Sequence, residues 1–314
     1  MAPTILVVGA TGNTGRAVVE NLPKLLEITR LASHRILALT RSVQSPSAQA
    51  LAKLPDVELA EQNWVEITQD WLRKQEVVRV FMASHNEPTQ FADEGQFLVN
   101  ALKAGVQYLV RISTTAANVR PDLLAYYPRT HWALETMLSQ PEFESMHFSS
   151  LQPNNFSTMS LASVAQFIKE FRRTGQQTPL SLMFNRDVPS AMIHPYDVGV
   201  FAAHLLVQTD TTRHNGQRYV LNGPEDVTGE QIIKIAEEYI GEPVKEPRYA
   251  DLSTIDEFVE NYMGSKNLIG SIKHAPEMTW AGKAKTDTTS EAVPSIYAPK
   301  LTVRDALSEL LKAE

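Results

Sequence analysis

The sequence predicts an α/β fold built on a parallel sheet, and a few observations predict it. A short run rich in β-branched residues, Thr4 to Val8, stands near the start of the chain. It leads straight into the glycine turn GATGNTG at residues 9 to 15. Apolar runs of strand length then alternate with stretches of helical spacing as far as Ser113. A nearly continuous apolar strand belongs in a sheet covered on both faces, and alternating strands and helices make that sheet parallel, with crossover helices. A glycine turn between the first strand and a helix makes it Rossmann-type.

After the turn, RAVVENLPKLL places Val18, Val19, Leu22 and Leu25 at helical spacing. Gly9, Gly12 and Gly15 have separate jobs available: a tight turn, room for a phosphate, and close packing of helix on strand. With Thr11, Asn13 and Thr14 between them and the N–H groups of the helix ahead, they make a phosphate cradle. These residues are the first candidate cofactor contacts; the plainer reading is a turn kept for its shape. The second apolar run, Arg35 to Thr40, ends in Arg41 and Ser42. A carboxylate at this place would bind the ribose hydroxyls of a non-phosphorylated dinucleotide, whereas Arg41 is charge-matched to a 2'-phosphate. NADP(H) is therefore the expected cofactor, with NAD(H) as the alternative. The plainer reading of Arg41 is a solvated side chain after a strand.

Val57 to Ala60 then reads as a strand, Ile67 to Lys74 as a helix, Val77 to Ala83 as a strand, Phe91 to Lys103 as a helix and Tyr108 to Ser113 as a strand. Ligands of such sheets lie at the carboxyl ends of the strands, which brings Gly9, Arg41, Asn63, Ser84 and Ser113 toward one edge. Asn63 is a candidate adenine contact, and the backbone from Met82 to His85, through Ala83 and Ser84, is placed to run under the cofactor. His85 reads as loop wall, because no second ligand stands at useful spacing, and no metal site is expected.

At 314 residues the chain has room for one large domain and a smaller lobe. A net charge of -7 gives no general attraction to a nucleic-acid backbone or an anionic membrane. The chain has no cysteine, which removes disulfides and thiolate chemistry and any case for an oxidising compartment. The opening MAPTILVVGATG has neither the basic region of a signal peptide nor the length of a membrane span. A soluble cytoplasmic location, with neither nucleic acid nor membrane as partner, is the expectation; the NFS triplet at Asn155 means little there.

Beyond Ser113 an irregular segment leads to a helix expected from near Arg129, with Trp132, Leu134, Met137 and Leu138 as its apolar positions. The stretch YYPRTHWALE sets Tyr127 and His131 four residues apart, one above the other if the helix begins early enough. A reductase needs an acid and gains from a cation that lowers the acid's pKa. Tyrosine, near 10, serves as that acid when positive charge stabilises its phenolate. Histidine, near 6.5, is largely neutral at pH 7 and helps less. Tyr127, His131 and Ser113 are the catalytic candidates; the competing reading is that Tyr127 and His131 only line a pocket or pack.

Taken together, VVGATGNTG (7–15), LTRS (39–42), ALKAGVQYLVRIS (101–113), LQPNNF (151–156), IHPYDVG (193–199) and NGPEDVTGEQI (222–232) resemble the NmrA-like branch of the short-chain dehydrogenase/reductase superfamily. The resemblance implies a dinucleotide-binding domain over 1–155 with returning segments at about 190–222, and a smaller C-terminal substrate-binding lobe from 156–189 and 223–314. Asn154 joins the implied cofactor contacts, and His131 falls where the reducing members carry a lysine and also faces the ribose. The implied activity is NADP(H)-dependent reduction of a C=O, C=C or C=N bond in a small, moderately apolar metabolite. Members that bind the dinucleotide as regulators leave one alternative, a non-catalytic NAD(P)-sensing regulator with a protein partner, and the groups of the same pocket leave another, a non-redox isomerase. The proton donor is open among Tyr127, His131 and solvent.

In the second lobe, MSLASVAQFIKEFRR has helical spacing, and Phe156, Met159, Phe167, Phe171, Met183 and Phe184 are either pocket lining or ordinary core. Asp197 reads as a helix-start carboxylate, and His194 lies in IHP near the expected cleft. Thr228 and Gln231 have the spacing of a capping box, and a helix is expected over Ser253 to Tyr262. Residues 264–300 read as a long loop or lid, disordered in part, and an amphipathic helix in LTVRDALSELLKA, from Leu301, closes the chain.

Overall fold

The computed structural model describes residues 2–312, so Met1 and the last residues of the expected closing segment, Ala313 and Glu314, lie outside the described residues. Its first half is the alternation anticipated from the sequence: β1 (Thr4–Val8), α1 (Gly15–Glu27), β2 (Arg35–Thr40), α2 (Pro46–Leu51), β3 (Val57–Glu61), α3 (Gln69–Lys74), β4 (Val77–Met82), α4 (Gln90–Ala104) and β5 (Tyr108–Ile112). Then come α5 (Tyr126–Leu138), β6 (His147–Pro153), α6 (Ser157–Ser160), α7 (Ala162–Thr174), β7 (Leu180–Ser181), α8 (Pro195–Leu206) and β8 (Gln217–Leu221). The main sheet is parallel throughout, in the order β3-β2-β1-β4-β5-β6-β8.

Burial on both faces explains why β1 is apolar from Ile5 to Val8. Ile5 and Val7 enter one core with α1 and α8, through Val18, Leu22, Val198 and Phe201. Leu6 and Val8 enter the other with α3, α4 and α5, through Leu72, Phe97 and Leu134. The α1–α8 contact depends on a missing side chain, since a Cβ on Gly199 would sit 2.2 Å from the Thr14 carbonyl oxygen and 2.6 Å from the Ala17 Cβ. Helix α5 starts at Tyr126, earlier than the sequence suggested, because Pro128 is then its third residue, where a missing N–H has no helical acceptor to lose.

A third core gathers Leu161, Phe167, Leu180 and Phe184 with residues of α9 (Gly229–Ile240) and the closing helix. The chain there continues through β9 (Pro247–Arg248), which pairs with β7, α10 (Ser253–Asn261), α11 (Lys266–Gly270), α12 (Glu277–Trp280), α13 (Val293–Ile296) and α14 (Val303–Lys312). Thr228 and Gln231 form both bonds of the capping box ahead of α9. Residues 264–300 are not one irregular loop: short helices and 3-10 turns succeed one another and are tied back to the body. Asp226 accepts from the backbone and hydroxyl of Thr286, and Asn222 donates to the Lys285 carbonyl. Single turns of helix are too short to leave a period in the sequence. Among the described residues no helix is long and apolar enough to cross a membrane.

Candidate active site

A cavity of about 640 Å³ opens at the carboxyl edge of the sheet. Its floor comes from the segments after β1 (Gly9, Gly12, Asn13, Thr14), β4 (Ala83, Ser84, Asn86, Glu87) and β5 (Ser113, Thr114, Thr115), with Asn154 beyond β6. Tyr126, Tyr127 and His131 of α5 form one wall. The roof is apolar and belongs to the C-terminal lobe: Met159, Met183, Ile255, Phe258, Ile269 and Ile272.

The turn after β1 is built for close approach. Gly9 has φ +78°, and its carbonyl accepts the Gly12 N–H at 2.9 Å. A Cβ on Gly15 would fall 2.1 Å from the Gly9 oxygen, so Gly15 lets α1 sit directly on the turn and does not itself line the cavity. The first turn of α1 carries no acidic side chain; its Arg16 N–H already donates to the Gly12 carbonyl at 3.0 Å, whereas the Gly15 and Ala17 N–H groups have no acceptor inside the helix. This cradle fits an anion of pyrophosphate type.

Of the residues anticipated from sequence, Gly9, Gly12, Asn13, Thr14, Ala83, Ser84, Ser113, Tyr127, His131 and Asn154 are brought together around the cavity. Thr11, Gly15, Arg41, Ser42 and Asn63 are not among its lining residues. Arg41 and Ser42 are exposed just past β2. The next residue, Val43, donates its N–H to Glu61 Oε2 at 2.8 Å, so a carboxylate at the end of β3 stands beside this turn, which the sequence order had concealed. Asn63 turns its Oδ1 back to the Val65 N–H at 3.4 Å as a local cap. Asn154 spends its side chain on structure: Nδ2 donates to the Ala191 and Ala284 carbonyls, and Oδ1 accepts from the Asn155 N–H. Ser84 likewise donates its hydroxyl to Glu94 Oε2 at 2.6 Å, leaving mainly its backbone to face a ligand.

Ser113 differs, because its buried Oγ has no hydrogen-bond partner among the described residues. Burial pushes the Tyr127 hydroxyl above the ordinary tyrosine range, partly offset by a hydrogen bond with the Thr114 side chain. The Tyr127 ring meets His131 edge-on, with centroids 6.4 Å apart. His131 is 2% exposed. Its Nδ1 lies 3.0 Å from Arg111 Nη2 and its Nε2 3.3 Å from Asn86 Oδ1. A guanidinium only donates, so Nδ1 is the acceptor and the ring proton sits on Nε2. Burial first, and then the Arg111 charge, hold the His131 pKa well below the usual histidine value, so the ring is neutral.

Arg111 itself was missed by sequence reasoning. Its side chain is completely buried, donating from Nε to Glu94 Oε1 at 2.7 Å and from Nη1 to Ser150 Oγ at 3.2 Å. Ser150 donates on to Glu135 Oε1, which also receives Gln152, while Arg218 Nε reaches Glu135 Oε2. The available signal was the arginine inside the apolar run YLVRI, since a charge in a central strand must find a partner. The other histidines the sequence singled out have structural partners: His85 Nε2 lies 3.2 Å from Asp93, and His194 caps α8 outside the cavity lining. Asp197 accepts from the Tyr297 hydroxyl and the backbone N–H groups of Lys300 and Leu301. Of the apolar residues weighed for the pocket, Phe156, Met159 and Met183 line it, whereas Phe167 and Phe184 are core.

With this geometry established, comparison places the chain among known proteins. The sequence model of the NmrA-like family matches residues 1–293. A curated relative, the (4-alkanoyl-5-oxo-2,5-dihydrofuran-3-yl)methyl phosphate reductase of Streptomyces griseus, is 25% identical over 249 residues, covering 77% of this chain and 75% of the relative. Among solved structures, an NADPH-dependent quinone oxidoreductase of Escherichia coli complexed with NADPH superposes with TM-score 0.72 at 19% identity, over 98% of this chain and 100% of that one. The negative transcriptional regulator NmrA in complex with NADP superposes with TM-score 0.63 at 13% identity, over 99% and 92%. At these identities the structural likeness speaks to the fold.

Proposed function

The chain belongs to the NmrA-like family, and from that premise we propose that it is an NADP(H)-dependent reductase acting on the C=O, C=C or C=N bond of a small, uncharged, moderately apolar metabolite. The observation that carries this reading is one cavity in which an anion cradle, a free Ser113 hydroxyl and the donors Tyr127 and His131 face an apolar roof. In this reading residues 1–155 and about 190–222 hold the dinucleotide, and 156–189 with 223–314 provide the substrate side. The relatives reported to use NADPH or to bind NADP support the choice of cofactor.

The glycine turn and the first turn of α1 would hold the pyrophosphate, Arg41 and Ser42 the 2'-phosphate, and the backbone at Ala83 and Ser84 the floor beneath the nicotinamide. NADPH supplies a hydride when bound. As a hydride adds to the substrate carbon, the displaced electron pair moves to the oxygen, nitrogen or conjugated carbonyl. Ser113 Oγ and His131 Nε2–H stabilise that charge by donating hydrogen bonds. Tyr127, whose raised pKa keeps it protonated at neutral pH, passes its proton to the product and is recharged from solvent.

Substrate charge follows from the lining. None of the described residues lining the cavity is a lysine or arginine, and Glu87 contributes a carboxylate. A phosphate dianion, such as the Streptomyces relative's name implies for its substrate, would have no cation to meet there. The test is calorimetry with NADPH and NADH, followed by NADPH oxidation with uncharged enones, quinones, ketones and imines. Turnover is expected with members of the panel; absence of NADPH binding would overturn the proposal. NADP(H) binding without any turnover would favour the second reading, a dinucleotide sensor, which the neutral His131 in place of a cation and the likeness to the regulator NmrA support.

A further inference from the structure

We propose that Arg111 is a positioning residue of the site: from behind the cavity wall it fixes His131 as the tautomer protonated on Nε2 and polarises that N–H toward the bound substrate. The inference rests on the reductase reading for its catalytic part, though not for the state of the ring.

Strand alternation sends Tyr108 and Val110 into one core and Leu109 into the other, so Arg111 points into the second, beneath α4 and α5. There it meets Glu94 from α4 and His131 from α5, with Glu135 one helical turn farther along at 3.9 Å from Nη1. Neutralising Glu94 alone would not require the third bond, from Nη2 to the imidazole at 3.0 Å. That bond has two chemical effects. It forbids a proton on Nδ1, because a guanidinium cannot accept one, and it draws electron density from the ring, which strengthens Nε2–H as a donor. On the cavity side Nε2 meets Asn86 Oδ1 at a long 3.3 Å, an acceptor that a substrate oxygen can replace. A buried guanidinium thus delivers positive polarisation to the cavity without placing a charge in it.

The groups around the ring allow this assignment to be tested. They are Arg111 on β5, Glu94 on α4 behind it, Glu135, Tyr127 and Tyr126 on α5, and Glu87 in the loop after β4. The experiment is histidine side-chain nitrogen NMR on NADP-loaded protein between pH 5.5 and 9, alongside steady-state turnover of whichever panel compound is reduced. Wild-type His131 is expected to show an unprotonated Nδ1 and a protonated Nε2, unchanged across that range. Because Arg111→Met leaves Glu94 buried without its partner, the informative variant is Glu94→Gln with Arg111→Met, which removes the ion pair as a whole. In it the ring should populate both tautomers or titrate, and kcat should fall about 10- to 100-fold, less than the loss of a direct oxyanion donor at its upper range, with NADPH Kd within about twofold. Arg111→Lys, which can still donate to Nδ1, should restore the tautomer and part of kcat. A ring that stays in the Nε2–H form in the double variant overturns the proposal, and so does normal kcat with a mixed tautomer. If the wild type reduces nothing, the reductase reading fails on its own, and the spectra alone decide whether Arg111 fixes the ring.

Discussion

The substitution Gly199→Ala should damage stability and cofactor binding together, although Gly199 touches no ligand position. Inside a helix this exchange normally gains about 1 kcal/mol. Here the new methyl would lie 2.2 Å from the Thr14 carbonyl oxygen and 2.6 Å from the Ala17 Cβ, and the first of these is backbone that cannot rotate away. Reaching an ordinary contact requires α8 and α1 to separate by more than 1 Å, an overpacking that costs roughly 3 kcal/mol. The net loss is then about 2 kcal/mol. At about 2.1 cal/mol/K per residue, a chain of this length unfolds with an entropy of roughly 0.7 kcal/mol/K, so Tm should drop by about 3 °C. Thr14 is the residue preceding α1 in the anion cradle, so its displacement should also weaken NADPH by about tenfold, or roughly 1.4 kcal/mol. Thermal unfolding and calorimetry on the purified variant read both effects. An unchanged or raised Tm with unchanged NADPH affinity would refute the argument that helix contact and cradle are one unit.

Other expectations are as direct. Arg41→Ala should weaken NADPH at least about tenfold while leaving NADH nearly unaffected, as loss of a charge-assisted phosphate contact requires; equal weakening in calorimetry would reject the 2'-phosphate assignment. Tyr127→Phe should lower kcat by about 10²- to 10⁴-fold with NADPH Kd unchanged, and near-normal turnover would remove it as the acid. The raised Tyr127 pKa keeps the donor protonated until pH exceeds the ordinary tyrosine value of about 10, and the lowered His131 pKa leaves no ionisation near 6.5, so kcat should be flat between them. A limb centred near pH 6.5 that disappears in His131→Gln would contradict the neutral ring. Asp197→Ala strands the Tyr297 hydroxyl and the N–H groups of Lys300 and Leu301, and should cost at least about 2 kcal/mol, seen as a lower Tm.

The sheet was legible because burial on both faces leaves an imprint: TILVV reads as a central strand from its apolar run, and YLVRI as a strand within the alternation. The glycine turn was legible because conformation and close approach demand glycine at Gly9 and Gly15. Tyr127 and His131 were found as a pair through helical spacing. What the ring of His131 does was not visible, since it depends on Arg111, twenty residues earlier and on another element. Separation in sequence likewise hid Glu61 beside the Ser42 turn and the ties of Asn154 to Ala191 and Ala284. The pairing of β7 with β9 joins segments of two residues each, too short for any alternation to register.

The roof of the cavity has a consequence for timing. Helix α10 buries none of its residues, and Phe258 remains half exposed although it lines the cavity. Residues 262–275 are fastened to the floor and wall by polar contacts, from Tyr262 to Glu87, from Tyr126 to Ser271 and from Asn118 to the Ala275 carbonyl. Breaking such contacts exchanges them for bonds to water at small net cost, unlike prying apart a packed core. The ceiling can therefore swing out and back at modest expense, and on the reductase reading passage beneath it, outward as well as inward, becomes a gate that competes with bond-making.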